Sequence, residues 1–288
     1  MELLRRQIEK QVHSLTGASL GVLDLDQPHG DAGLFGPESM VWKVHADFTA
    51  MMVGGISALL LQMLHPLALA GVWDHSTFRQ DMLGRLRRTS LFVAGTSYGG
   101  RHDAEQLIDK VRRIHLQVVG QAPDGRAYAA TDPGLLTWVH VSEVSQFLAG
   151  YLRYVDPELP VAEQDRYYRE VALIAERLGA QSVPKSSQAT GDYLERMRPQ
   201  LLCDERTREV VRLLYTAPMP NILAKPFGSL MMQAGVDLLP DWASELLGEH
   251  QAAWRRPVIR AGVRRTAKVL RWAVINSAAQ RAARRVAP

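Results

Sequence analysis

The chain has one cysteine, Cys203, in 288 residues. A lone thiol excludes an internal disulfide framework and any multi-cysteine metal or iron–sulfur site, and it is compatible with a reducing compartment. Acidic residues are missing from Trp254 to Pro288, where ten of the 34 Lys and Arg fall. The first 253 residues therefore hold 24 basic against 30 acidic side chains, and the formal charge of +4 hides a mildly acidic body with a strongly basic tail. Charge of either sign is missing from Phe48 to Val72, a run of 25 residues with the length of a membrane span. Gly54-Gly55 inside that run and His65-Pro66 near its end favour a buried helix that kinks or stops near residue 64. The N-terminus, "MELLRRQIEKQVHSL", has no apolar h-region and no small-residue cleavage site, so a cytoplasmic chain is expected.

What is present is apolar and periodic. At 47% hydrophobic and 22% charged, the chain carries material for a sizeable core and is not disordered. Strand-type alternation is nearly absent, and no repeat or low-complexity linker divides the chain. An all-α, single-domain fold is expected over residues 1–253, with a basic amphipathic helix at 254–288 packed on it or extending from it. Helices are predicted at 2–15, from a Ser39 N-cap into the apolar run ending near 64, at 76–95, and at 102–120. A further helix enters at Pro133 with Asp132 or Thr131 as its cap, and others fit 161–179, 188–199, 204–216, 223–235, 240–249 and 257–286. "WDHS" around His75 reads as a helix start. In "APDGRAYAATDP", Pro-Asp-Gly-Arg reads as a tight turn and "RAYAA" as a short extended piece.

The stretch "GRLRRTSLFVAGTSYGGRHDAEQLIDKVRRIHLQVVG", residues 84–120, holds the chemistry. Leu107, Ile108, Val111, Ile114, Val118 and Val119 recur at helical spacing and place His115 on the same buried face. A buried imidazole needs a partner for each ring nitrogen. Periodicity alone leaves two readings open: a core histidine bonded to a carbonyl or carboxylate, or a ligand to a metal or haem iron. Upstream, Arg85, Arg88 and Thr89 stand at i, i+3 and i+4 and share one side of a turn. They read either as a solvated basic face or as a partly covered site for an anion such as a haem propionate.

Six short signatures in order carry a resemblance to a known family: "GLFGPESMVWKVHAD", "LQMLHPLALAGVWDHS", "GRLRRTS", "SYGGRHDAEQLIDKVRRIHLQVVG", "YAATDPGLLTWVHVSEVSQF" and "LLPDWASELLG". From about Gly33 to Gly248 the chain resembles the haem b oxygenases that include the latex-clearing proteins and the MpaB-type oxygenases. The resemblance implies a globin-like helical core around haem b. It implies His115 as the axial iron ligand, and Arg85 with Thr89 as distal residues that polarise bound oxygen. Latex-clearing proteins place a lysine immediately before that threonine, where it can occupy the distal iron position. This chain has Arg88 there, and a guanidinium stays protonated and does not coordinate iron. The distal position is then open, water-bound or closed by another group, and the resemblance does not extend to rubber-type cleavage.

Two more histidines flank this pocket. His65 reads as a second axial ligand, as cavity lining, or as a partner for a carbonyl freed by the proline. His75 reads as part of that helix start, with Asp74 or Ser76 capping, or as a propionate partner. Met51, Met52 and Met63 are expected to wall the cavity, Trp138 to pack in the core, and Cys203 not to ligate haem. The function implied is a haem b-dependent oxygenase using O2 on a hydrophobic, unsaturated, isoprenoid-like small molecule. The alternatives are a non-catalytic haem sensor or carrier and a haem-free membrane-peripheral protein. The basic C-terminal helix is a candidate for peripheral contact with anionic lipid. No recognition motif points to nucleic acid.

Overall fold

The computed structural model describes residues 1–16, 23–217 and 224–287. Positions 17–22 of the predicted loop after the first helix, and residue 223 of the helix predicted from there, lie outside the described residues. The fold is all-α: α1 (Glu2–Thr16), α2 (Met40–His45), α3 (Phe48–Gln62), α4 (Pro66–His75), α5 (Met82–Tyr98), α6 (Arg101–His115), α7 (Pro133–Tyr154), α8 (Val161–Leu178), α9 (Ser187–Met197), α10 (Glu205–Tyr215), α11 (Lys225–Leu238), α12 (Asp241–Leu247), α13 (Arg255–Ala273) and α14 (Ala278–Val286). The one sheet among the described residues is an antiparallel hairpin of β1 (Val119–Gln121) and β2 (Ala127–Ala129).

The uncharged run forms the central helix α3, which packs on α7, α11, α13 and α2. Glycine serves close packing there: a Cβ on Gly54 would stand 2.7 Å from the Gln146 carbonyl oxygen, and one on Gly150 would stand 2.6 Å from that of Ala50. The two helices run antiparallel, with Trp138 Nε1 donating to the Gln62 carbonyl at 3.2 Å and Gln62 Nε2 donating to the Val139 carbonyl at 3.0 Å. As expected, Trp138 is fully buried. Pro66 begins a new helix, bent by 104° from α3, and no single helix among the described residues is long and apolar enough to cross a membrane.

Several boundaries differ from expectation, each for a local reason. The helix capped by Ser39 breaks at Ala46, because the Asp47 carboxylate caps a fresh start by accepting from Ala50 N at 2.8 Å. "WDHS" ends a helix, with Ser76 as its C-cap, and α5 begins six residues later on an Asp81 cap. Helix α6 stops at His115, because Val119 and Gly120 pair with β2 across the Gly125 turn (φ +86°). The basic tail is two helices, divided where Ser277 builds a capping box with Gln280. Its inner side joins the core through Ile259, Val263 and Ala282.

Candidate functional site

Helices α5 and α6 are joined by Gly99-Gly100 alone and pack on one another. Gly95 abuts the Leu107 side chain, which would have to shift to admit a Cβ there. Counted back from that contact at equal rise, the end of α6 comes level with the turn bearing Arg85, Arg88 and Thr89. His115 and the turn of Arg85, Arg88 and Thr89, 26 to 30 positions apart in sequence, thus share one end of a hairpin.

The three distal candidates differ in surroundings. Arg85 is half-buried, donates from Nη1 to Ser76 Oγ at 2.9 Å, and lines a narrow apolar cleft with Leu59, Met63, Val72, Phe78 and Met82. Burial, reinforced by neighbouring Arg88, lowers its pKa. Arg88 and Thr89 are exposed. Arg88 reaches Thr77 Oγ1 at 3.4 Å and Asp81 at 3.7 Å, while the Thr89 hydroxyl donates back to the Arg85 carbonyl at 3.2 Å. Of the two readings of this turn, partial cover holds for Arg85 and the solvated face for Arg88 and Thr89.

His115 is the last residue of α6 rather than the middle of a buried face, and it is half-buried, with Ile114 52% and Val119 55% exposed beside it. Its Nδ1 is buried without a hydrogen-bond partner. Burial lowers its pKa, so the ring is neutral near pH 7, the form that binds metals. The reading of a hydrogen-bonded core histidine does not describe it, because its buried Nδ1 lacks the carbonyl or carboxylate that such a residue needs.

Around this end two helix pairs meet along a narrow apolar cleft. Helix α3 packs on α7 and α5 packs on α6, but neither member of one pair packs more than marginally on a member of the other. At one end α2 bridges the pairs, with His45 Nδ1 2.8 Å from Ser97 Oγ of α5. At the other, the cleft joins Leu59 of α3 to Arg85 of α5. Met51, Gly55 and Leu59 on α3 and Val111 and His115 on α6 remain only half-covered.

The flanking histidines are placed by other contacts. His65 is buried against Trp138 and caps α4, its Nδ1 accepting from Ala68 N at 3.4 Å. It serves an amide N–H rather than the carbonyl expected at a proline kink, and burial pulls its pKa down to about 4. His75 is exposed, with Nε2 3.2 Å from the Val119 carbonyl oxygen and its ring edge-on to Tyr128. Met63 lines the cleft, Met51 and Met52 do not, and Cys203 packs at the edge of the main core with its thiol pKa raised by burial.

Sequence reasoning passed over a buried polar chain. His45 Nε2 lies 2.9 Å from the Tyr167 hydroxyl, which is in turn close enough to Glu143 to feel its charge. Burial pushes the Glu143 carboxyl up to about 7 and pulls His45 down to about 3 and His140 to about 4. A lone acidic residue in the apolar stretch "WVHVSEVSQF" was the available signal.

The fold and site define an all-helical protein with a narrow apolar cleft lined by a half-buried arginine and, at the end of α6, a histidine whose buried Nδ1 has no hydrogen bond. Residues 42–272 match the family model described as "ER-bound oxygenase mpaB/B'/Rubber oxygenase, catalytic domain", and the chain belongs to that family. The family accounts for an oxygenase role acting on a small molecule with O2. No curated protein and no solved structure matches the chain.

Proposed function

We propose that this chain is a haem b-dependent oxygenase acting on a hydrophobic, unsaturated small molecule, with His115 as the axial ligand to iron. The observation that carries the reading is the His115 ring at the end of α6, neutral and without a hydrogen bond to its buried Nδ1. A porphyrin asks the protein for an axial ligand rather than a cage of several. Among the described residues, no three His, Cys, Asp or Glu side chains stand together as a metal cage. A single free imidazole therefore fits haem better than a bare ion.

Bound haem supplies the oxygen-activating chemistry. The chain's own residues position and shield it. Arg85 presents a permanently charged donor from an apolar wall, where a preorganised charge acts more strongly than in water. Thr89 has a hydroxyl whose present acceptor is a helix carbonyl, and it can turn toward the cleft. Arg88 and His75, exposed at the mouth, are the polar groups placed to meet haem carboxylates. His65 walls the α4 side rather than ligating, since its Nδ1 caps that helix.

The outward face of α13 supports peripheral lipid contact. Trp254, Val258, Val269 and Trp272 are 73%, 66%, 49% and 42% exposed along it, among Arg264, Arg265 and Lys268 and without an acidic residue. Such a face suits an anionic bilayer from which an apolar substrate is drawn.

An absorption spectrum of the full chain supplied with haem tests the assignment. A Soret band that His115→Ala weakens or shifts is expected; a wild-type chain that acquires no band overturns it.

A further inference from the structure

Ser76 holds the arginine on which the oxygenase reading depends. Arg85 stands in the first turn of α5, and a helical side chain leans toward its helix N-terminus, here toward the α4–α5 connection. There its Nη1 donates to Ser76 Oγ at 2.9 Å. The serine is itself fixed from both sides. Its backbone N–H closes α4 on the Val72 carbonyl at 3.1 Å, and the carbonyl of Thr77 accepts from Gln80 N and Asp81 N at 3.0 and 2.8 Å. Val72 and Phe78, on either side of it in sequence, line the cleft together with Arg85. The hydroxyl is thus built into the connection that forms one wall of the cleft.

The kind of partner matters as much as its place. Among the described residues Arg85 has no carboxylate partner, and the Ser76 hydroxyl is the one hydrogen-bond acceptor its guanidinium meets. Arginines that tie helices together elsewhere in the chain are taken up by their partners. Arg260 is held by both oxygens of Asp237, and Arg271 by Asp47 and the Tyr154 carbonyl. Buried Arg285 fills its donors on the carbonyls of Leu25, Asp31, Tyr98 and Gly99. A serine hydroxyl, by contrast, accepts a single N–H here and brings no charge. It fixes the direction of the guanidinium and leaves the positive charge and the other N–H groups for a ligand.

We propose that Ser76 is a positioning residue, which aims the Arg85 guanidinium at the ligand site and leaves its charge unneutralised. This rests on the reading of Arg85 as the charged donor of the oxygenase site. A carboxylate at position 76 would bind the guanidinium more tightly but cancel the charge through which a preorganised donor acts. Threonine would serve, because it keeps the hydroxyl and the extended backbone at 76 (φ −110°, ψ 144°) suits a β-branched side chain. A bond made for stability alone would be improved by aspartate. The two roles therefore predict opposite results at one position.

Infrared spectra of carbon monoxide on the full-length, haem-supplied chain test the assignment, with thermal melts of the same samples. The C–O stretch falls when a positive donor faces the carbon monoxide oxygen and rises when that charge is removed, so it reads the aim of Arg85 without turnover. Arg85→Leu should raise the stretch. Ser76→Ala should raise it part of the way, and Ser76→Thr should keep the wild-type value. Ser76→Asp should raise it while Tm holds or climbs. With a raised stretch in Arg85→Leu, a wild-type value in Ser76→Ala or Ser76→Asp, or a value in Ser76→Thr as high as in Ser76→Ala, overturns the role of Ser76. An unchanged stretch in Arg85→Leu overturns the placement of Arg85 on which that role rests, and a chain that takes up no haem overturns the oxygenase reading itself.

Discussion

Arg260 grips Asp237 through both carboxylate oxygens, Nε at 2.7 Å and Nη2 at 3.1 Å. The Asp237 side chain is fully buried, and Arg153 and Arg256 approach it at 3.3 and 3.6 Å. One carboxylate on α11 thus holds guanidinia from α7 and α13, and it ties the basic tail to the core. Asp237→Asn keeps the shape and removes the charge that three partly exposed arginines face. We expect a loss of about 2–4 kcal/mol, read from the urea midpoint, in keeping with the breaking of a buried charge pair. A loss below about 1 kcal/mol would show that water replaces the carboxylate at the arginines.

Three buried histidines set the acid limit of the fold. His45, His65 and His140 are pulled down to about 3, 4 and 4 by burial, against about 6.5 for an unfolded histidine. Between those values the unfolded chain binds more protons than the folded one, so stability rises with pH and is lost as pH falls from about 6.5 toward 4. At pH 5 each group should cost about 1–2 kcal/mol relative to pH 7. Thermal melts across this range should show Tm falling with acid, and His45→Gln should flatten part of the slope. A Tm independent of pH over that window would contradict the burial of these rings.

Where local chemistry decides, the sequence was readable. Ser39, Asp132 with Pro133, and the Pro-Asp-Gly-Arg turn all act where their side chains and dihedrals predict. Where a tertiary partner decides, it was not. The apolar period running through His115 continues to Val119, yet strand pairing with Ala129 takes those residues out of the helix. Arg284 and Arg285 look alike in sequence. Arg284 is exposed, while Arg285 is fully buried and donates to the carbonyls of Asp31, Leu25 and Tyr98 at 2.8, 3.0 and 2.7 Å. For the site, spacing placed Arg85, Arg88 and Thr89 on one turn. Which of them is covered depends on Leu59 and Met63, contributed by a helix 20 residues away.

That unequal covering predicts unequal effects. Arg85→Leu should lower oxygenase turnover by roughly 10²–10³-fold, the scale of losing one preorganised charged donor. Arg88→Ala removes an exposed pair at 3.7 Å and should change stability by less than about 1 kcal/mol. Its effect on turnover should be far smaller than that of Arg85→Leu. Steady-state kinetics of the two variants under identical haem loading check the order, and equal losses would place the reactive position at the outer face of α5.

The outer face of α13 predicts a salt-dependent membrane affinity. Trp254 and Trp272 lie 18 residues apart on one helix, which at 1.5 Å per residue separates them by about 27 Å along the surface. Amphipathic rings at both ends of such a face anchor at headgroup level, while Arg264, Arg265 and Lys268 attract anionic lipid. The chain should co-sediment with phosphatidylserine-containing vesicles at low salt and release as ionic strength rises. Basic residues near an anionic surface contribute about 1 kcal/mol each. Arg264→Gln with Arg265→Gln should therefore weaken binding by roughly tenfold or more while leaving the melt unchanged, since neither residue carries an ion pair among the described residues. Trp272→Ala should weaken binding to neutral and anionic vesicles alike, because the ring acts through apolar burial. Vesicle binding that neither variant alters would move the contact off α13, and the exposed tryptophans would then need another partner.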